Sequence, residues 1–483
     1  MALGIGLIHY ESELERRDET IAQQAERIRQ LEAENEQLKR LLTDKAESKA
    51  SKKPKFTEDY SLDKNTHKKR HLAISTGRRS HEAKRDLISD SQPIYWQDAD
   101  PERCICHREQ FAWRLVDGKA VYLRYAIYDV PDSKQWPLPP GLRTSRSEFG
   151  IEIILVLAFL HYWIGVSIDH AREIMRFFTG LELSKSQADS LLSQLAADWN
   201  EQYDTIAEII ALQMIVYIDE TGWKVGKRSC YTWAFSTALH VLFRCGVGRG
   251  KDQAEEVLGK FFTGIGVTDD YGAYTNLFTR HQLCWAHLIR KAIKLALQHP
   301  DEKHYAAFLD DLYDLYQQAV RYQKDRRLSV SRAQKVCALQ EGIRSLCTRH
   351  GETVDESSQS EHEATFIRLQ NELVDNLACL FVFVEHPQVE PTNNRSERTV
   401  RREAEIRKGG RTSKTPSGAQ RRGVIMTVLA SLRTRFPRFT LEHLLWEVQR
   451  WCAEGRSIFE SELAEFKKAA APPSGQPIPI PSG

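Results

Sequence analysis

The stretch 214–247, MIVYIDETGWKVGKRSCYTWAFSTALHVLFRCGV, decides the fold. Its first six residues, MIVYID, form a β-rich run that ends in a carboxylate, Asp219. Residues 230–236 and 238–245 are two further strand-like runs, dense in β-branched and aromatic side chains. Residues 252–262 carry apolar residues at helical spacing. GIGVTDD at 264–270 is another short apolar run ending in carboxylates. Residues 280–285 predict one more strand, and a helix follows to about Gln298.

This succession matches an α/β protein with a ribonuclease H-like mixed sheet. In that layout the first strand is central, so the ends of the first and fourth strands lie side by side. Asp219 and Asp269 then become neighbours. Two carboxylates so placed repel unless a cation lies between them. Hard oxygen ligands with room for water and phosphate suit Mg²⁺ or Mn²⁺. Two such ions, about 3.5–4 Å apart, serve phosphodiester chemistry. A lone Asp at a strand end is more often a cap or turn residue, so the pair needs a third element.

PTNNRSERTVRR at 391–402 supplies one. At helical spacing Asn394, Glu397, Arg398 and Arg401 share a face, and Thr392 or Asn393 can cap the helix. Glu397 then completes a three-carboxylate site, with arginines beside it to meet phosphates. Taken alone, Glu397 reads more readily as part of a solvated, salt-bridged helix. From 398 to 422 there are 9 Lys or Arg against 2 acidic residues, with Gly409, Gly410 and Gly418 lending pliability.

The 483 residues allow several domains. Residues 11–44 predict a coiled coil, with Leu14, Ile21, Ile28, Asn35 and Leu42 at a, and Leu31 and Leu38 at d. The single Asn at a favours a parallel dimer. A basic flexible linker follows at 45–90; residues 45–85 hold 13 Lys or Arg against 5 Asp or Glu, and Lys68, Lys69 and Arg70 are candidate phosphate contacts. A small β-containing module spans 91–146, with a hairpin signal at Asp117-Gly118 and a Cys104-x-Cys106 pair that lacks the second pair zinc requires. Residues 147–200 read as three helices, the last opened by a Ser184/Gln187 capping box. They fit a helix-turn-helix DNA reader or an ordinary bundle. The catalytic core occupies 212–298 and 387–465, interrupted by a helical insertion at 299–386, and 466–483 is a disordered tail. His281, Cys284 and His287 have spacing compatible with a metal, but the adjacent helix start explains them more simply.

The longest apolar run, 151–166, contains Glu152 and His161 and is too short and polar to span a membrane. The nine scattered cysteines read as reduced, so the protein is expected in the cytoplasm, and DNA as partner would associate it with the nucleoid. No secretory signal is expected.

The segments DETGW (219–223), TDDYGAY (268–274), CWAHLIRK (284–291), NNRSERTVR (393–401) and RKGG (407–410) occur in the order and style of insertion sequence 66 family transposases. SGAQRRGVIMTVLASLR (417–433) resembles that family's tail. The resemblance covers roughly 149–445 and implies a DDE transposase that cleaves element ends and joins them to target DNA with Mg²⁺ or Mn²⁺, two ions in all. It maps the catalytic and metal-binding acids to Asp219, Asp269 and Glu397. Asp270 stands where the family has Gly, so the choice between Asp269 and Asp270 stays open. Arg398, Arg401, Arg407, Lys408 and Arg411 are the expected DNA contacts. Only Cys104 and Cys106 remain of the family's N-terminal zinc-finger-like pattern. Expected partners are transposon-end and target DNA, a second or further copy of the chain, and element-encoded accessory proteins, with no membrane. The rival readings are a ribonuclease H-like structure-specific nuclease and an inactive or domesticated dimeric DNA-binding protein.

Overall fold

A computed structural model describes residues 81–95, 100–129, 137–274, 277–328, 331–351, 360–436 and 438–470. The expected coiled coil, most of the basic linker, and Lys68, Lys69 and Arg70 lie outside these residues. The described residues form a mixed α/β structure with two sheets.

The first sheet has three strands: β1 (Asp90–Ile94), β2 (Ile105–Val116) and β3 (Lys119–Asp129), in the order β1-β3-β2. The β2–β3 hairpin turns at Asp117 (φ 49°) and Gly118 (φ 76°), the left-handed pair that a two-residue turn of this hand demands. The linker expectation is corrected at its end, because His81–Arg85 form a helical turn and β1 begins at Asp90.

Four helices follow: α1 (Ile151–Ala158, continued by a π-turn over Phe159–Ile164), α2 (Ile168–Thr179), α3 (Lys185–Asp198) and α4 (Asn200–Ala211). Ser184 caps α3 reciprocally. Its Oγ accepts from Gln187 N (3.2 Å), and its own N–H donates to Gln187 Oε1 (2.8 Å).

The second sheet holds β4 (Ile215–Val225), β5 (Arg228–Ser236), β6 (Val241–Val247), β7 (Ile265–Thr268) and β8 (Arg280–Leu283). Helix α5 (Asp252–Leu258) links β6 to β7. The strand order is β6-β5-β4-β7-β8, with β4–β5 and β5–β6 antiparallel and β4–β7 and β7–β8 parallel. β4 is therefore central. It runs six residues beyond Asp219, where the sequence reading ended it, because β5 keeps pairing with it out to Val225↔Arg228. The third strand starts at Val241 rather than Ala238, since Thr237–His240 close a turn (Thr237 N→His240 O, 2.8 Å).

Two apolar cores sandwich this sheet. Val216 and Ile218 join α1–α4 and the C-terminal helices on one face, while Tyr217, Ile265 and Val267 join the helices after β8 on the other. The alternation is that of a strand buried on both sides. Between β8 and the third-carboxylate helix come α6 (Trp285–Gln298), α7 (Lys303–Lys324), α8 (Arg332–Gly351) and α9 (Glu361–Asp375). Then follow α10 (Asn394–Lys408), α11 (Pro416–Arg435), α12 (Leu441–Glu454) and α13 (Ile458–Ala470). Residues 466–470, assigned above to the tail, belong to α13.

Helix α11 covers the edge strand β6 through side chains. Thr427 Oγ1 accepts the Phe243 N–H (2.9 Å), and Ser431 Oγ accepts from Val241 N and donates to Val241 O (3.0 Å each). Gly423 allows the approach, since a Cβ there would sit 2.9 Å from Phe243 O. An open row of strand N–H and C=O groups is thereby closed off. Among the described residues, no helix is long and apolar enough to cross a membrane.

Candidate active site

Register brings the first two acids together. β4 and β7 pair in parallel at Tyr217↔Val267, so two residues on, past the end of β7, Asp219 meets Asp269. Asp219 Oδ1 accepts the Glu220 N–H (2.9 Å), and Asp269 Oδ1 accepts the Tyr271 N–H (3.2 Å). The Asp219 carboxyl is pushed up to about 8, first by burial, then by Asp269, by Glu220 and, more weakly, by Glu397. These are the two classic ways of disfavouring a carboxylate: loss of solvent and nearby like charge. Asp270 belongs to a different neighbourhood, 3.9 Å from Lys291, where it helps raise Glu372, a group lifted chiefly by burial.

The third acid arrives on α10. Asn393 precedes this helix and, contrary to the capping expectation, its side chain makes no cap. Its fully buried amide reaches across instead, Nδ2 donating to Ile218 O at 2.7 Å, one residue before Asp219. The Asn393 N–H donates to Cys284 Sγ (3.1 Å), and Trp285 N donates to Pro391 O (3.1 Å). The start of α10 is thus pinned to both β4 and α6. Deeper in α10, fully buried Glu403 takes a bidentate pair from Arg422 of α11 at 2.7 and 2.8 Å.

Glu397 lies in the first turn of α10. Together with Asp219, Glu220, His287, Arg290 and Arg401 it lines an open cleft of about 350 Å³. Its Oε1 accepts from Arg290 Nη2 (3.1 Å) and stands 3.5 Å from His287 Nδ1. Asp219 and Glu397 therefore line one space; Asp269 is not on its wall but acts electrostatically on both Asp219 and His287.

Glu220 and Arg290 carry no role in the sequence pattern, and His287 reads there, with His281 and Cys284, as structural rather than metal-binding. Glu220 is clamped, accepting from Tyr274 Oη (2.6 Å) and Arg249 Nη2 (2.8 Å), with Arg249 stacked on Tyr271. Its place directly after Asp219 was the only available signal. His287 was visible through the CWAH segment, yet its partner Glu397 is 110 residues away in sequence. His281 is structural: burial holds it down at about 4, and Nε2 lies 2.7 Å from Thr268 Oγ1.

Of the expected DNA contacts, Arg398, Arg401 and Lys408 are exposed along α10. Arg407 is half-buried and donates to Gly222 O (2.6 Å), and Arg411 donates to Gly165 O. Both spend part of their donor capacity on backbone. A larger cavity, about 670 Å³, opens at the start of α11 beside Arg411, Lys414 and Trp223, but none of the three acids lines it. Cys104 and Cys106 are free thiols.

A mixed sheet with clustered acids at its central strand and a basic helix alongside defines a DNA-processing enzyme when its family is added. The chain belongs to the IS66 family of transposases, whose family model matches residues 146–421. Membership implies that the protein binds DNA and depends on a divalent metal. No curated protein matches the chain.

Proposed function

We propose that the chain cleaves DNA at the ends of its insertion sequence and transfers the freed strand to target DNA, using Asp219, Asp269 and Glu397. One observation carries this reading. Asp219 and Glu397, far apart in the chain, line one cleft, and Asp219 is lifted to about 8 by burial and by its acidic neighbours, Asp269 foremost among them. The strand order, with β4 central and β7 parallel beside it, supports a ribonuclease H-like core.

The donor set fits a pair of hard divalent cations. The oxygens are carboxylate, the cleft is open on one side, and burial and mutual repulsion raise Asp219 beside its acidic neighbours. Asp219, Asp269 and Glu397 would together hold the ions. When bound, Mg²⁺ or Mn²⁺ lowers the pKa of the attacking water or 3′-hydroxyl and offsets charge on the leaving oxygen. Glu220, locked by Tyr274 and Arg249, keeps the β4 backbone from shifting at Asp219. Asn393 holds Glu397 in register with Asp219 by its bond to Ile218 O. Arg401, on the cleft wall, is placed to receive a phosphate, and Arg398 and Lys408 extend the basic track along α10. Helices α2 and α3 act as the DNA reader, and residues 11–44 join two copies.

The test is an end-cleavage and strand-transfer assay on DNA carrying the element's ends. Asp219→Asn abolishes both products while DNA retention persists. Cleavage that survives the substitution refutes the reading, and cleavage without joining identifies a nuclease instead.

A further inference from the structure

The cleft carries a second kind of donor on its α6 side. Cys284 precedes α6 and His287 lies one turn on, so both project toward the start of α10. One donor atom each from Cys284, His287 and Glu397 lies within 4.8 Å of the others. Glu397 Oε1 is 3.9 Å from Cys284 Sγ and 3.5 Å from His287 Nδ1. A tetrahedral zinc ion with ordinary bond lengths requires a sulfur–oxygen edge of about 3.6 Å and a nitrogen–oxygen edge of about 3.4 Å. The protein's spacing is within a few tenths of an ångström of both. His287 Nδ1 is buried and has no hydrogen-bond partner, an orphan that a metal would satisfy.

We propose that Cys284, His287 and Glu397 form a zinc-type site, with three protein ligands and an open fourth position, that shares Glu397 with the Asp219–Asp269 pair. Thiolate and imidazole select Zn²⁺ or Co²⁺ over Mg²⁺, so the site is chemically distinct from the all-oxygen cluster. Arg290 is the competitor, since its Nη2 holds the same Oε1 at 3.1 Å. Its side chain is 54% exposed and withdraws into solvent when the ion binds. The inference rests on donor geometry and does not depend on the cleavage reading, although both use Glu397.

The experiment titrates the full-length, metal-free protein with Co²⁺ and follows the near-ultraviolet sulfur-to-cobalt charge-transfer absorption. One ion per chain gives the band. Cys284→Ser loses it, and His287→Ala weakens binding about 100-fold. Asp219→Asn keeps it. Because the Cys284 sulfur accepts the Asn393 N–H, Cys284→Ser is checked for folding by circular dichroism; His287, partly exposed, gives an independent variant. The absence of a band in the parent protein overturns the proposal. So does a band unchanged in His287→Ala, or one that disappears only when Cys104 and Cys106 are replaced. Should Asp219→Asn retain cleavage while the cobalt band behaves as described, the transposition chemistry fails and the zinc-type site stands.

Discussion

Replacing Asp219 by Asn should make the metal-free protein more stable while removing its response to Mg²⁺ or Mn²⁺. The Asp219 carboxyl is lifted from 3.8 to about 8 by burial first, and then by Asp269, Glu220 and Glu397. An acid raised on folding binds its proton more tightly in the folded state. Its contribution is therefore fully present below about pH 4 and is lost as the pH rises toward about 8. At pH 7 the folded carboxyl is still mostly protonated, and taking up that proton on folding costs, at about 1.4 kcal/mol per pH unit, about 4 kcal/mol as an upper bound. Local relaxation and water entry reduce this to roughly 1–3 kcal/mol. Asn has the same shape and no charge to bury. In thermal unfolding with chelator present, Asp219→Asn should melt a few degrees higher than the parent at pH 8, with the gap closing toward pH 4. Adding Mn²⁺ should raise the parent's melting temperature and leave the variant's unchanged, since a ligand stabilises only the state that binds it. A variant that melts lower than the parent at pH 8, or a gap independent of pH, would refute the argument that Asp219 sits in a strained cluster of acids.

Other outcomes follow from single contacts. Glu397→Gln should lower end cleavage at least about 100-fold, whereas Asp270→Asn, in the Lys291–Glu372 neighbourhood, should change it less than about threefold; a kinetic comparison of the two decides which acids serve the reaction. Glu403→Ala leaves the buried Arg422 guanidinium unpaired and should cost about 3–5 kcal/mol in denaturant unfolding. Thr427→Val strands the Phe243 N–H beneath α11 and should cost about 1–3 kcal/mol, measured the same way.

Much of the site was legible in the residues. Strand runs ending near acids, a helix with Glu397 in its first turn, and five ordered segments all sit in the linear pattern, because side-chain periodicity and turn chemistry are local properties. The same locality explains the errors. β4 outruns Asp219 because β5 continues to pair with it, and no property of residues 220–225 alone reveals a partner strand. Asn393 looked like a cap because helix starts favour Asn, yet a buried carbonyl at Ile218 claimed its amide.

Sequence alone therefore determined the kinds of element, the family and the short roster of acids. Tertiary structure decided which of them meet. The adjacent Asp269 and Asp270 are indistinguishable by type, and the parallel register at Tyr217↔Val267 separates them, carrying Asp269 to Asp219 while Asp270 turns to Lys291. Cys284, His287 and Glu397 converge only because α6 and α10 start side by side, held by Asn393 and Pro391. Charge–charge and metal–ligand energies fall off over a few ångströms, whereas a chain pattern states only what lies next along the backbone.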